Sequence, residues 1–313
     1  MPFNGKSGKF NVAIRTVEIG TGDKAVTLGG ECVSPLYSFD APIEHAPKVG
    51  VLLPDTGFDN DVAGIKDFYA GCANWGEIAQ KAATMEGADF LVLKFESADP
   101  NGTNTPVEDC VAIIKEVAAA TDMPLVIEGC KNAEKDAELF NKAAEALQGK
   151  NALILSAREE NYKGVAASAV LAYGQKVGAE SSVDINLAKQ LNVLISQVGV
   201  DMGNIVMNVG TATAGYGFEY VVSTLDRVKA AALGQNDAQL QMPIMTPVGD
   251  ETWGVKESMA SEEDMPAWGS REERGVDMEV TTAMAVLASG SNAVILKHPT
   301  SVATVSKLIK ELM

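Results

Sequence analysis

From Lys48 onward, short apolar runs alternate with longer helical patterns. The runs are VGVLL (49–53), DFLVLK (89–94), PLVIE (124–128), ALILS (152–156), KVGAES (176–181), NIVMNV (204–209), MPIMT (242–246) and AVILK (293–297). Most are continuously apolar rather than alternating, as parallel strands buried on both faces are; KVGAES fits this least well. The segments between them carry helix-end signals. Asn74 with Glu77 reads as a capping box, and Gly87 closes that helix. Thr105-Pro106-x-Glu108 reads as an N-cap, a proline at the first helical position and a second capping-box glutamate. Val107, Val111, Ile114 and Val117 or Ala118 then share one face. Gly149, Gly174, Gly234 and Gly290 stand where helices should stop, and a last helix is predicted from about Ser301 to Leu312.

The first forty residues have another period. FNVAIRTVEIG alternates, TGDK follows, and AVTLGG completes a hairpin around a Gly-Asp turn. PLYSFDAPIEHAP, with three prolines, reads as a linker. The expected organisation is a hairpin and linker over 1–47 and a main domain over 48–313. Eight strand-then-helix units predict a (β/α)8 TIM barrel with an N-terminal β-hairpin extension. An open doubly wound sheet is the alternative, because counting units does not prove closure. No strong internal repeat is present.

One stretch breaks the rhythm. PVGDETWGVKESMASEEDMPAWGSREERG (247–275) follows MPIMT and precedes the helical pattern VDMEVTTAMAVLASG, with no period of its own. Loops this long are uncommon inside compact domains and are usually functional or disordered. This one holds two of the three tryptophans, Trp253 and Trp268, whereas disordered segments are poor in aromatics. It is expected to be a functional loop at the C-terminal face of the barrel.

Composition narrows the partners. The hydrophobic fraction of 46% is ample for a core. A net charge of −17 and a pI near 4.5 argue against nucleic acid and anionic membrane surfaces. No run of about 20 apolar residues is present, and MPFNGKSGKF lacks the apolar core of a signal peptide, so a cytoplasmic protein is expected. Cys32, Cys72, Cys110 and Cys130 are scattered, with no C-x-x-C pair, and the histidines are His45 and His298 alone. Neither zinc nor an iron–sulfur cluster is expected in this chain by itself, nor a disulfide framework.

Few short motifs carry chemistry. Gly5-Lys6-Ser7 lacks the upstream glycine of a phosphate loop and reads as a tail. GTGDK lies in the hairpin turn and is no dinucleotide element. The D-x-H-x-x-G signature of many corrinoid carriers is absent. His298, followed by Pro299, suits a strand-to-helix turn, with a functional role as the alternative. Asp55, Glu96, Glu128, Asn208 and Lys297 fall near the C-terminal ends of strands, where barrel active sites are built. A carboxylate pair there is suited to acid–base work, but loop hydrogen bonding and helix capping is the plainer reading of each. In NVGTATAGYGFEY (208–220), glycines allow close backbone approach. The helix starting near Gly217 would aim free N–H groups at the barrel mouth; a tight structural turn is the alternative.

The strings Gly215-Tyr216-Gly217-x-Glu219-Tyr220, Pro243, Gly249-x-x-x-Trp253-x-x-Lys256-Glu257, Trp268-Gly269 and His298-Pro299 are more specific. Through them the chain resembles the small (delta) subunit of the corrinoid iron–sulfur protein, part of the acetyl-CoA synthase/carbon monoxide dehydrogenase system. The resemblance covers most of the chain and is sharpest over 208–298. It departs at Asn208-Val209-Gly210-Thr211-Ala212-Thr213, where the family pattern is Asp-Pro-Thr-Thr. The resemblance implies a barrel that binds no cofactor alone. A large subunit would carry the [4Fe-4S] cluster and hold the corrinoid (cobalamin), with this chain covering it at the interface. It implies methyl transfer from methyltetrahydrofolate, through a methyltransferase, to acetyl-CoA synthase in the reductive acetyl-CoA (Wood–Ljungdahl) pathway. The partners implied are the large subunit, that methyltransferase and the synthase/dehydrogenase. Thr211, Thr213, Tyr216 and Gly217 are the expected corrinoid cover. Trp253, Lys256, Met259, Met265 and Trp268 are the expected interface, with the tryptophans as rigid anchors and the methionines as adaptable contacts. No catalytic residue and no metal ligand is assigned. The alternatives are a free-standing pterin-dependent methyltransferase on the same barrel, with Asp55 and Asn208 as pterin ligands, and a purely architectural barrel.

Overall fold

All eight apolar runs form parallel strands in the computed structural model, which describes residues 10–313; Gly5-Lys6-Ser7 lies outside the described residues. After an antiparallel hairpin of β1 (Val17–Ile19) and β2 (Val26–Leu28) come the barrel strands. They are β3 (Lys48–Pro54), β4 (Phe90–Lys94), β5 (Leu125–Glu128), β6 (Leu153–Ala157), β7 (Lys176–Glu180), β8 (Ile205–Asn208), β9 (Met245–Thr246) and β10 (Ala293–Leu296). They lie side by side in the order β8-β7-β6-β5-β4-β3-β10-β9. The ring closes through a parallel bridge between Met207 and Ile244, where the Met207 N–H donates to the Pro243 carbonyl at 2.8 Å. The chain is therefore a (β/α)8 barrel rather than an open sheet.

The helices are α1 (Ala63–Tyr69), α2 (Trp75–Ala82), α3 (Val107–Ala120), α4 (Ala133–Ala146), α5 (Tyr162–Ala166), α6 (Ile185–Gln197), α7 (Phe218–Lys229), α8 (Val248–Thr252), α9 (Lys256–Met259), α10 (Arg271–Ser289) and α11 (Pro299–Leu312). The Asn74 cap on α2 forms: its Oδ1 accepts from the Glu77 N–H at 2.9 Å, and Glu77 accepts from the Ala73 N–H. The Thr105 cap does not form, because α3 starts one residue later, with Pro106 at the N-cap and no side-chain cap. The stretch 247–275 is more ordered than its lack of period suggests. It forms α8, α9 and a 3-10 turn at Pro266–Trp268, and α10 begins already at Arg271, capped by Ser270.

Two apolar layers hold this together. Inside the ring, Leu52, Phe90, Val92, Val126, Leu153, Leu155, Val206, Met245, Ala293 and Ile295 pack with Val17, Ile19, Val26 and Leu28 of the hairpin. The hairpin seals the N-terminal end, as its backbone contacts show. Asn151, just before β6, donates from Nδ2 to the carbonyls of Glu18 and Gly20 at 3.0 Å each. Outside the ring, Val49, Val51, Leu53, Leu91 and Leu93 face the helices. Each fully buried aliphatic side chain contributes about 1.5–3 kcal/mol. With the bottom sealed, the C-terminal mouth is the face left to carry chemistry.

Candidate functional site at the barrel mouth

Every barrel strand ends in or beside a polar side chain: Asp55, Lys94, Glu128, Ser156, Glu180, Asn208, Thr246 and Lys297. Helix α8 reaches across them. Its Asp250 lies 2.7 Å from the Lys94 ammonium, which also meets Glu96 at 3.2 Å. The next residue, Glu251, faces Lys131 at 3.8 Å. Arg158 holds Glu180 at 2.7 Å, and Glu180 also accepts from the Ser156 hydroxyl. Asn208 donates to Ser156 at 3.4 Å and accepts from the Gly210 N–H at 3.0 Å. These groups enclose a cleft of about 150 Å³, lined by Glu128, Lys131, Glu180, Asn208, Thr211, Asp250 and Glu251 among others.

Glu128 stands out, beside Asp250, as a buried acid with unsatisfied oxygen. It is only 6% exposed, and its Oε2 has no hydrogen-bond partner. Burial, reinforced by the neighbouring Asp250 carboxylate, holds its pKa well above the ordinary glutamate value. Burial pulls the Lys94 ammonium the other way, but Asp250, Glu128 and Glu96 outweigh it and keep that group firmly charged. The remaining strand-end groups are occupied by their neighbours. Asp55 accepts from the backbone and hydroxyl of Ser97, Glu96 from Thr56, and Lys297 pairs with Asp61 at 2.6 Å. The structural reading of these three holds.

Beside the cleft lies an exposed apolar rim. The Tyr216 hydroxyl donates to Glu257 of α9 at 2.6 Å, tying the loop after β8 to the excursion after β9. Lys256 sits 5.3 Å from the Trp268 ring centre and Arg274 5.8 Å from it. Tyr216, Tyr220, Met259 and Trp268 are all exposed, and Met265 is half-buried. Gly217 takes a left-handed conformation (φ 82°) at the N-cap of α7, which a side chain would strain. Thr211 lines the cleft with an unpartnered hydroxyl.

Two expected contact residues are elsewhere. Thr213 is 1% exposed and faces the interior. Trp253 is 9% exposed and belongs to the barrel core. Its indole stacks on the His298 ring, 5.7 Å between centres and 18° between planes. The space comes from Gly275 of α10, where a Cβ would stand 2.3 Å from the indole. An indole with a glycine notch and an aromatic face available gains more by folding inward than by waiting for a partner. His298 is the N-cap of α11, its Nδ1 accepting from the Thr300 N–H at 3.1 Å. The proton therefore sits on Nε2, which is 3.2 Å from Glu272.

Lys94, Asp250, Glu180 and Arg158 were not singled out from the sequence. A signal existed for Lys94 and Glu180: each is a charged residue closing an otherwise buried strand. For Asp250 none did, since it is one acid among many in its stretch.

Comparison with known proteins places this barrel. A family model described as CO dehydrogenase/acetyl-CoA synthase delta subunit matches residues 16–299. The chain belongs to that family. The delta subunit of the acetyl-CoA decarbonylase/synthase complex of Archaeoglobus fulgidus is 31% identical over 315 residues, covering 99% of this chain and 69% of that protein. Subunit delta 2 of Methanosarcina acetivorans is 33% identical, covering 94% and 67%. Among solved structures, the Xanthomonas albilineans dihydropteroate synthase with 4-aminobenzoic acid superposes with a TM-score of 0.55 at 16% identity, covering 95% of this chain and 97% of that one. The Burkholderia cenocepacia enzyme complexed with 7,8-dihydropteroate gives 0.55 at 14%, covering 96% and 98%. At such identity the likeness establishes the barrel fold of this delta-family chain and nothing about its ligand. Among the described residues, no helix is long and apolar enough to cross a membrane.

Proposed function

We propose that this chain is the small subunit of a two-subunit corrinoid iron–sulfur methyl carrier. Its barrel mouth and aromatic rim cover a corrinoid held by a large subunit. The large subunit carries the [4Fe-4S] cluster, and the corrinoid cobalt supplies the methyl-carrying chemistry. The carrier takes the methyl group of methyltetrahydrofolate from a methyltransferase and delivers it to acetyl-CoA synthase/carbon monoxide dehydrogenase, in the cytoplasm. This chain's own residues position and exclude water.

The observation that carries this reading is the rim. Tyr216 and Tyr220 after β8, and Met259 and Trp268 in the excursion after β9, are exposed apolar side chains on two segments that the Tyr216–Glu257 hydrogen bond joins beside the charged mouth. Contiguous exposed apolar surface with a polar surround marks an interaction site, and aromatic side chains are enriched at interface centres. The residues fit a corrinoid at that face: flat apolar side chains outside, and unpartnered polar atoms of Glu128 and Thr211 within. The pterin-dependent methyltransferase reading has less support. The mouth cleft of about 150 Å³ lies below the usual range of small-molecule sites, about 300–1,000 Å³, and Asp55, one of its two expected pterin ligands, is taken up by Ser97.

The test is to titrate the purified chain against a corrinoid-loaded large subunit and, separately, against methyltetrahydrofolate. Tight pairing that Tyr220→Ala and Trp268→Ala both weaken supports the carrier. Binding of methyltetrahydrofolate by the isolated chain, without pairing, supports the methyltransferase instead.

A further inference from the structure

The charges around the mouth cleft nearly cancel. Four carboxylates line it: Glu128, Glu180, Asp250 and Glu251. Three have a cationic partner, Lys94 for Asp250 at 2.7 Å, Arg158 for Glu180 at 2.7 Å and Lys131 for Glu251 at 3.8 Å. The fourth, Glu128, is the one that burial and Asp250 drive towards its neutral form. A neutral Glu128 has one O–H to offer the neighbouring Asp250 carboxylate, whose two oxygens likewise have no hydrogen-bond partner, and one oxygen left as an acceptor. That oxygen, Oε2, is buried without a partner, and so is Thr211 Oγ1 on the same cleft. Buried polar atoms rarely stay unpaired without a reason. Their chemical complement is a small neutral group with both an N–H donor and a carbonyl acceptor. A cation would be unbalanced, and a whole ring system is too large for about 150 Å³.

We propose that the mouth cleft is a socket for one primary carboxamide, its N–H donating to Glu128 and its carbonyl accepting from the Thr211 hydroxyl. This rests on the carrier reading above and sharpens it. Corrinoids bear primary carboxamides on short arms around the ring, and an arm of that kind matches the cleft in size and chemistry. An Asn or Gln of the large subunit offers the same group. Lys131, half-exposed at the cleft edge, is within the lining and available to the same carbonyl.

The experiment uses the complex of this chain with its large subunit and dicyanocobinamide as the probe. One arm follows dissociation of dicyanocobinamide from the complex by its visible spectrum. The other measures the affinity of this chain for the corrinoid-free large subunit. Glu128→Met removes the acceptor, and roughly a tenfold loss is expected, the scale of one buried hydrogen bond. Glu128→Gln can still donate to Asp250 while presenting its carbonyl to the cleft, so it should stay within about twofold of wild type. Thr211→Val, nearly isosteric, should lose several-fold and carries the test if Glu128→Met does not fold. Loss confined to the first arm assigns the carboxamide to the corrinoid; loss in the second assigns it to the large subunit. The proposal is overturned if Glu128→Met and Thr211→Val leave both arms within about twofold. It is equally overturned if Glu128→Gln is as damaging as Glu128→Met, since charge would then be the determinant. Failure of the wild-type chain to pair with the large subunit at all would instead bring down the carrier reading, and this one with it.

Discussion

Trp253 and Trp268 belong to the same excursion after β9 yet answer to different forces. Trp253 fills the notch left by Gly275 and stacks on His298. Trp253→Ala should cost about 3–5 kcal/mol of stability, the range for emptying a buried aromatic site, read as a lower denaturant midpoint of the isolated chain. Trp268 is 39% exposed, with the Lys256 and Arg274 cations against its ring. Trp268→Ala should leave stability within about 0.5 kcal/mol. It should weaken docking to a corrinoid-loaded large subunit by about 2 kcal/mol, roughly thirtyfold. If the two variants exchanged these phenotypes, the rim would not be an interface. The mouth has its own residue-level signature. Because Glu128 has a raised pKa in the fold, the native state binds more protons than the unfolded chain above the ordinary glutamate value of about 4.5. Its contribution is full below that pH and is lost as pH rises through the folded pKa. Stability of wild type minus that of Glu128→Gln, measured by urea unfolding across pH, should therefore fall as pH rises above about 4.5. Lys94→Met should be severe, about 3–5 kcal/mol, because Asp250 is left as an uncompensated buried charge.

At the scale of elements, the loops after β8 and β9 act as one unit, joined by the Tyr216–Glu257 hydrogen bond. On pairing with the large subunit, amide hydrogen exchange should slow over 208–220 and 256–270. It should stay unchanged in the hairpin, at the opposite end of the barrel; the reverse pattern would mean that the other face docks. The strands were legible in the sequence because each is a buried apolar run with turn signals on both sides. Even KVGAES forms a strand, although Gly178 weakens the pattern; a Cβ there would meet Leu155 at 2.5 Å. The loop after β9 was not legible. Its short helices are held by tertiary contacts such as Arg274 donating to the carbonyls of Glu257 and Gly269, and these have no period to betray them. The mouth was half legible. Glu128 and Asn208 stand out at strand ends, whereas Asp250 becomes meaningful only when α8 crosses to Lys94. Trp253 was misread because its burial depends on Gly275 and His298, far from it along the chain.

For the whole molecule, the hairpin is the feature with the widest reach. Val17, Ile19, Val26 and Leu28 share one core with side chains from every barrel strand except β7. Removing residues up to Gly30 should uncover that core, raising the fluorescence of an apolar dye such as anilinonaphthalene sulfonate and lowering the melting temperature. If neither changed, the hairpin would be ornament. The same geometry sets a timetable. The hairpin leaves the ribosome before any barrel strand, but the surface that receives it includes Met245, Ala293 and Ile295, on the last two barrel strands to be made. At a translation rate of about 5–20 residues per second, its four apolar side chains spend on the order of ten seconds or more without their seat. A segment made before the whole barrel is thus among the last of its parts to settle, and a chaperone that shields nascent apolar surface has its natural target in this hairpin.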